Sequence, residues 1–407
     1  MTRLDQLDAY ALAFGAPVVA VRPEPADAHQ AWVRLAASAF YPTSGGQPND
    51  LGTLDGIDVL DVTLDDDGVW HRVAAPPSAW PLGLLARGEV EPERRARHRQ
   101  WHSAQHLLSQ AFVRTDAAHA TRAVSLAGPD LTIDVDGDPD DEAVAAAERL
   151  ANERAYAAWP VVALEVDERD LARYPLRRPP KVTGRVRLVA MGPDVRDDPA
   201  SAWELSACGG THVRCTAEAA PITVLRSERV RGGLARITFR AGLAAWEDHR
   251  FKHAVASRTA ASLSTGVPEL GAKVAALADE ASALRRALAE ARGLLADERA
   301  AALLGDDPEP GALLVAELDE READLLVPLA DALAARGATA ALAVVHAGRA
   351  ELVLTSGAGI DVRPALAAAL PHLSGRGGGR PERAQGAGPA TDGVADALAA
   401  AHDALSA

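Results

Sequence analysis

The sequence predicts an α+β protein in four successive parts: a β-barrel-like domain over 1-90, an α+β domain over 91-242, a helical stretch over 243-304 and a C-terminal α/β domain over 305-407. Three observations carry this reading. Up to about Arg87, short apolar stretches such as VRLAASAF and DVLDVTLDDDGVW are separated by Gly, Pro and Asp turns, the signature of a small, mostly antiparallel β domain. From about Pro92 the apolar positions Trp101, Leu107, Leu108, Ala111 and Phe112 recur at spacings near three and four, which is helical. From Leu243 to Leu304 the chain is rich in Ala, Leu, Glu and Arg with the spacing of an amphipathic or coiled-coil helix.

The remaining elements follow in order. A second helix is expected over DDEAVAAAERLANERAYAAW, with Asp140 or Asp141 near its start and Pro160 at its end. Strand-like pieces alternate with turns from Val161 to Phe239, completing the α+β domain. Gly266 and Pro268 are expected to break the helical stretch into two arms, and the segment GDDPEPG marks a linker. In the C-terminal part AALAVVH and AELVLTS read as buried strands. The segment GRGGGRPERAQGAG from Gly375 reads as a glycine loop in which Arg376 and Arg380 meet phosphate.

Composition narrows the function classes. With 48% hydrophobic and 24% charged residues and no apolar run long enough for a bilayer, the chain reads as a soluble protein of the cytoplasm. Its N-terminal segment lacks a basic start and an uninterrupted apolar core, which argues against export. A net charge of -15 argues against indiscriminate adhesion to nucleic acid. Local basic runs nevertheless point to a polyanion: Arg94, Arg95, Arg97 and Arg99; Arg177, Arg178, Lys181, Arg185 and Arg187; and Arg226, Arg229, Arg231, Arg236 and Arg240.

The cysteines and histidines carry the sharpest signal. His102 and His106 stand four apart, so a helix projects both imidazoles from one face. Cys208 and His212 occur in ACGGTH, where two glycines let the backbone fold thiolate and imidazole towards one point. Three nitrogens and one sulfur suit one tetrahedral zinc ion per chain. Cys215 is placed outside this shell, on a strand VRCT that buries its thiol.

Four segments in order, FYPTSGGQPNDLG, HSAQHLLSQAF, SACGGTHV and GGGRPERAQGAG, resemble signatures of alanyl-tRNA synthetase from its editing domain onward. The first three also resemble the free-standing AlaX-type editing proteins, and the fourth the DHH-associated domain of their long form. This resemblance implies zinc at His102, His106, Cys208 and His212. It further implies hydrolysis of serine, and of glycine, from the alanine-specific tRNA. About forty residues precede Phe40, too few for an adenylate-forming domain, so editing in trans without aminoacylation is expected. The family places tRNA-elbow binding and self-association in the C-terminal region, so a homodimer through the helical stretch and that domain is expected.

Hydrolysis of an activated ester needs a positioned water and a stabilised oxyanion. The segment YPTSGGQ offers Thr43, Ser44 and Gln47 as polar groups, with Gly45 and Gly46 allowing close backbone approach. Ser38, where relatives often carry threonine, joins Thr43 and Gln47 as a candidate for recognising the serine hydroxyl, since a site built to bond that group rejects a ligand without it. The alternative reading is a zinc-containing tRNA-binding protein without catalysis.

Overall fold

A computed structural model describes residues 1–178, 184–305, 309 and 311–407. Lys181 and most of GDDPEPG lie outside the described residues. The chain is α+β and divides into two compact units, Met1–Ser257 and Arg258–Ala407.

In the first unit, six strands close into a barrel in the order Ala13–Glu24, Asp27–Leu35, Gly68–Val73, Ile57–Asp65, Gly52–Leu54 and Leu85–Val90, every pairing antiparallel. Alternation sets which side chains face inward. Along Leu85–Val90, Ala86, Gly88 and Val90 are buried while Leu85, Arg87 and Glu89 are exposed. Val33, Leu35, Phe40, Leu54 and Val62 fill the interior.

Helix Pro92–Thr115 begins with proline at its first position, where the missing N–H has no intrahelical partner to lose. Its apolar face, Trp101, Ala104, Leu107, Leu108, Ala111 and Phe112, packs into a core with helix Asp141–Tyr156 and the sheet Ile222–Val230, Leu234–Ala241, Leu131–Asp136, Thr121–Ser125. Leu107, Leu108 and Phe112 are fully buried, each contributing about 1.5–3 kcal/mol relative to exposure. The Asp140 carboxylate caps the second helix by accepting from Ala143 N–H at 2.8 Å. A further antiparallel sheet, Val161–Asp167, Arg185–Met191 and Glu204–Ala207, leads directly into the CGGTH turn.

The helical stretch divides as expected, into Leu243–Ser262 and Leu270–Leu304. Its end is more than a spacer: Ala296 and Ala300 are buried in a core shared with Leu318, Leu326, Leu329 and Leu333 of the second unit. That unit is built on a five-stranded sheet ordered Leu313–Leu318, Thr339–His346, Arg349–Ser356, Arg383–Gly388, Arg376–Arg380, the first pair parallel and the rest antiparallel. AALAVVH and AELVLTS are its buried central strands.

Two sequence expectations change here. The GRGGGR segment is an exposed edge strand, Arg376–Arg380, rather than a loop. Glycine serves its close packing: a Cβ at Gly377 or Gly379 would overlap the backbone of the neighbouring strand. Cys215 lies on an isolated bridge to Pro160 instead of a strand, and it is only half-buried. The strand prediction failed because Val213 and Arg214 are irregular backbone leading into the short helix Thr216–Ala219, whose Glu218 carboxylate accepts from the N–H groups of both Arg214 and Cys215 at 3.1 Å.

Candidate metal centre

His102 and His106 project from one face of helix Pro92–Thr115, one turn apart, with ring centroids 5.2 Å from each other. The CGGTH turn brings Cys208 Sγ to 3.3 Å from His102 Nε2 and 3.2 Å from His212 Nε2. One ligand atom from each of His102, His106, Cys208 and His212 lies within 4.8 Å of every other. Tetrahedral zinc with its usual bonds to nitrogen and sulfur has N–S edges of about 3.5 Å, close to the separations here.

The hydrogen bonds on the far side of each ring decide which nitrogen is free. His106 Nδ1 donates to Glu204 Oε1 at 2.9 Å, and Glu204 is an acceptor because Arg177, His106 and Ser206 hold its carboxyl down to about 2 against a burial effect that by itself would raise it. His102 Nδ1 donates to Gln47 Oε1 at 2.8 Å. His212 Nδ1 is 3.1 Å from Ser103 Oγ, which accepts from Val213 N–H and has a second lone pair to offer. Each Nδ1 thus has an acceptor, leaving three Nε2 lone pairs turned towards the thiol, the arrangement that orients imidazole ligands of metals.

Protonation agrees with this geometry. Burial, reinforced by Arg187, pushes the His102 imidazole down to about 3, and burial with the other two histidines pushes His212 far below its usual range. Burial raises the Cys208 thiol, but His106, the Gly210 N–H and Arg187 outweigh it and the net shift is downward. Imidazoles held neutral at His102 and His212 and a thiol biased towards thiolate are what a metal ion requires of these groups. The residues therefore fit a borderline-soft divalent ion.

The cluster opens onto a cavity of about 580 Å³. Its other wall is cationic: Arg177, Arg178, Arg185 and Arg187 all line it. Of the three basic runs in the sequence, only this one reaches the cavity. Arg95 is fully buried, donating to Asp50 Oδ2 and to Ala39 O, both at 2.5 Å. Arg99 stacks on Tyr10 with its guanidinium 3.5 Å from the ring centroid. In the third run Arg226 pairs with Glu228, Arg229 with Asp138, Arg236 with Asp134, and Arg240 with Asp130 and Asp248. Most of those two runs is thus structural or neutralised, with Arg97 and Arg231 left exposed.

The YPTSGGQ candidates divide. Ser44 and Gly45 line the cavity. Gly45 and Gly46 form a left-handed two-residue turn, φ 56° and 84°, closed by the Ser44–Gln47 bridge. Gly46 packs against the sheet instead of the cavity: its carbonyl accepts from Leu126 N–H at 2.8 Å, and a Cβ there would overlap Val124 O. Gln47 is fully buried, where it holds His102 and donates to Thr211 Oγ1 at 3.0 Å. Thr43 is exposed and receives Asn49 N–H at 3.0 Å. Ser38 is sealed in the barrel, 2.8 Å from His71 Nε2, and accepts from Phe40 N–H. Arg376 and Arg380 lie in the second unit, where Arg376 borders a separate cleft of about 540 Å³ beside Gly377 and Gly378.

Sequence reasoning missed Glu204, Ser103 and Asp50. The strand alternation held a signal for the first: Glu204 and Ser206 share one face of strand Glu204–Ala207, and Cys208 follows in the same alternation just past its end. The Asp50 carboxylate pairs with Arg95 and accepts from Tyr41 N–H at 2.7 Å, tying the YPTSGGQ loop to the histidine helix.

Comparison with known proteins identifies the surroundings of this centre. Residues 186–238, which hold Glu204, Cys208 and His212, match the threonyl and alanyl tRNA synthetase second additional domain. The alanine–tRNA ligase of Methanothrix thermoacetophila is 29% identical over 384 residues, covering 90% of this chain and 41% of the ligase. That of Rhizorhabdus wittichii is 32% identical over 393 residues, covering 90% and 44%. The chain is a homologue of alanine–tRNA ligases. Such kinship fits the AlaX-like editing proteins to which its motifs point. The homologue spans about two fifths of the ligases it matches. The C-Ala domain of Aquifex aeolicus alanyl-tRNA synthetase also matches, at 24% identity over 25% of this chain and all of that domain, with a TM-score of only 0.22. No helix among the described residues is long and apolar enough to cross a membrane.

Proposed function

We propose that this homologue is an aminoacyl-tRNA deacylase that removes serine, and glycine, from alanine tRNA in trans, without charging tRNA itself, in the cytoplasm. The observation carrying this reading is the convergence of three imidazole Nε2 atoms and one thiol on the floor of a cavity walled by four arginines.

One zinc ion held by His102, His106, Cys208 and His212 would supply Lewis acidity and a fixed point for the substrate's polar groups. Arg178 and Arg187, the two arginines of this wall with no ion pair among the described residues, neutralise the phosphates beside the terminal adenosine. Ser44 and the Gly45 backbone border the space where the ester carbonyl develops negative charge as water adds to it. The bond from the carbonyl carbon to the ribose oxygen then breaks, and that oxygen leaves as the hydroxyl. Gln47 acts by fixing His102. Thr43 and Ser38 shape the loop that carries Ser44, and their influence on serine selectivity passes through it. Arg376 and Arg380 add phosphate contacts from the second unit, which with the long helix is also where a homodimer would form.

The second reading, a zinc-containing tRNA-binding protein without catalysis, draws on the burial of Ser38 and the outward position of Thr43, which keep both hydroxyls expected to recognise serine away from the cavity. Hydrolysis of serine-, glycine- and alanine-charged alanine tRNA by the purified protein, beside a Cys208→Ala variant, separates the two. Loss of the serine ester with alanine spared establishes the deacylase. Bound tRNA and bound zinc with every ester intact would leave the binding protein.

A further inference from the structure

A second cleft, of about 560 Å³, adjoins the first, and Gln6, Glu165 and Arg187 line both. Its own lining is different in character. Met1, Leu7, Ala163 and Leu164 give it an apolar surface, and Leu7 is 74% exposed with nothing covering it. Each cleft falls within the roughly 300–1,000 Å³ usual for small-molecule sites.

The charges along this lining are unequally committed. Arg3 is paired with Asp5 at 2.6 Å, and Glu165 with Arg185 at 2.7 Å. Arg177 is spent on Glu204. Arg187 donates through Nη1 to Cys208 O at 2.7 Å and Gly210 O at 3.1 Å, yet among the described residues it has no carboxylate partner and no acceptor for its other nitrogens. A half-buried guanidinium with no ion-pair partner among the described residues and a buried Nε left without an acceptor, on the wall between two clefts, calls for an anion at that wall.

An apolar-lined space, a cation, then a second space matches a dinucleotide: nucleoside, phosphodiester, nucleoside. We propose, on the basis of the deacylase reading above, that the second cleft takes the nucleotide preceding the terminal adenosine, with the connecting phosphodiester at Arg187. The substrate is thereby recognised as a polynucleotide end and not as an aminoacyl nucleoside alone.

The test compares seryl esters of adenosine and of the dinucleotide CpA. Wild-type kcat/KM is expected to be about tenfold or more higher for the dinucleotide ester, the scale of one charged hydrogen bond. That advantage should shrink as salt is added, while the adenosine ester responds little. Ala163→Trp fills the second cleft from its exposed strand position and should abolish the advantage while leaving the adenosine ester unchanged. An advantage equal in wild type and Ala163→Trp, or no advantage at all, overturns the inference. Hydrolysis of neither ester overturns the deacylase reading instead. In that case equilibrium binding of uncharged CpA against adenosine decides the second cleft, which is refuted if Ala163→Trp binds CpA as wild type does.

Discussion

Glu204→Gln isolates one group that supports the metal centre without ligating. The substitution keeps the shape of the side chain and removes its charge. The glutamate accepts from His106 Nδ1 at 2.9 Å, from Arg177 Nε at 3.1 Å and from Ser206 Oγ at 2.5 Å, so all its donors point at a formal anion. An amide that keeps its oxygen at the Oε1 position still serves His106 and Ser206, but it places its NH2 against the Arg177 donor at Oε2. His106 then loses the carboxylate that makes it a stronger ligand. Replacing such a partner of a metal-bound histidine costs about 10–100-fold in metal affinity or activity, or about 1.4–2.7 kcal/mol. The assay is competition for zinc against a chromophoric chelator at pH 7.5, alongside deacylation of seryl-tRNA, with the melting temperature of the metal-loaded protein as a control for folding. Zinc affinity within twofold of wild type in a folded Glu204→Gln protein would refute the argument that this carboxylate tunes the centre.

Other expectations follow from the same geometry. A Cβ at Gly210 would overlap the His102 ring, whereas at Gly209 it meets only the flexible end of Gln6, so Gly210→Ala should lose zinc and Gly209→Ala keep it, as measured by metal content after gel filtration. Asp50→Ala leaves Arg95 buried without its partner and should cost about 3–5 kcal/mol in urea denaturation; a loss below about 1 kcal/mol would show that the pair does not hold loop to helix. Burial pushes His71 down to about 4, so between pH 6.5 and about 4 the unfolded chain binds the proton that the folded chain refuses. Stability from this residue is therefore complete above pH 6.5 and declines by about 3 kcal/mol as pH falls to 4. A His71→Gln variant should show a correspondingly flatter loss, and identical pH slopes in the two proteins would count against it.

What the sequence disclosed and what it concealed divide along a physical line. The cluster of His102, His106, Cys208 and His212 was legible because a metal demands particular atoms, and a helix or a glycine turn can present them only at a few spacings. The barrel and the two helical arms were legible from alternation and from breakers such as Gly266 and Pro268. Partners set far apart in sequence were not: Glu204 lies 98 residues from His106, and Gln47 lies 55 from His102. Nothing local requires an acid or an amide at those positions. Basic runs misled for a related reason, since clustering in sequence does not say whether a guanidinium ends beside a carboxylate. Arg95 and Arg236 do, whereas Arg187 has no carboxylate partner among the described residues.

The placement of Gln47 shows why the barrel belongs to the metal centre. Its Oε1 accepts from His102 Nδ1 and lies 3.3 Å from Thr211 N, so a single amide touches both halves of a ligand set separated by a hundred residues. The loop carrying it is held at two points, by Gly46 O on Leu126 N–H and by Asp50 on Arg95. Arg95 springs from the same helix as His102, seven residues and two turns earlier. Any shift of the barrel relative to that helix would therefore have to break the ion pair, or drag Gln47 off His102, or both. The ligand geometry and the docking of the barrel are thus stabilised by the same few buried bonds. Metal binding should accordingly strengthen that docking, and a loosened barrel should weaken the metal by the same free energy.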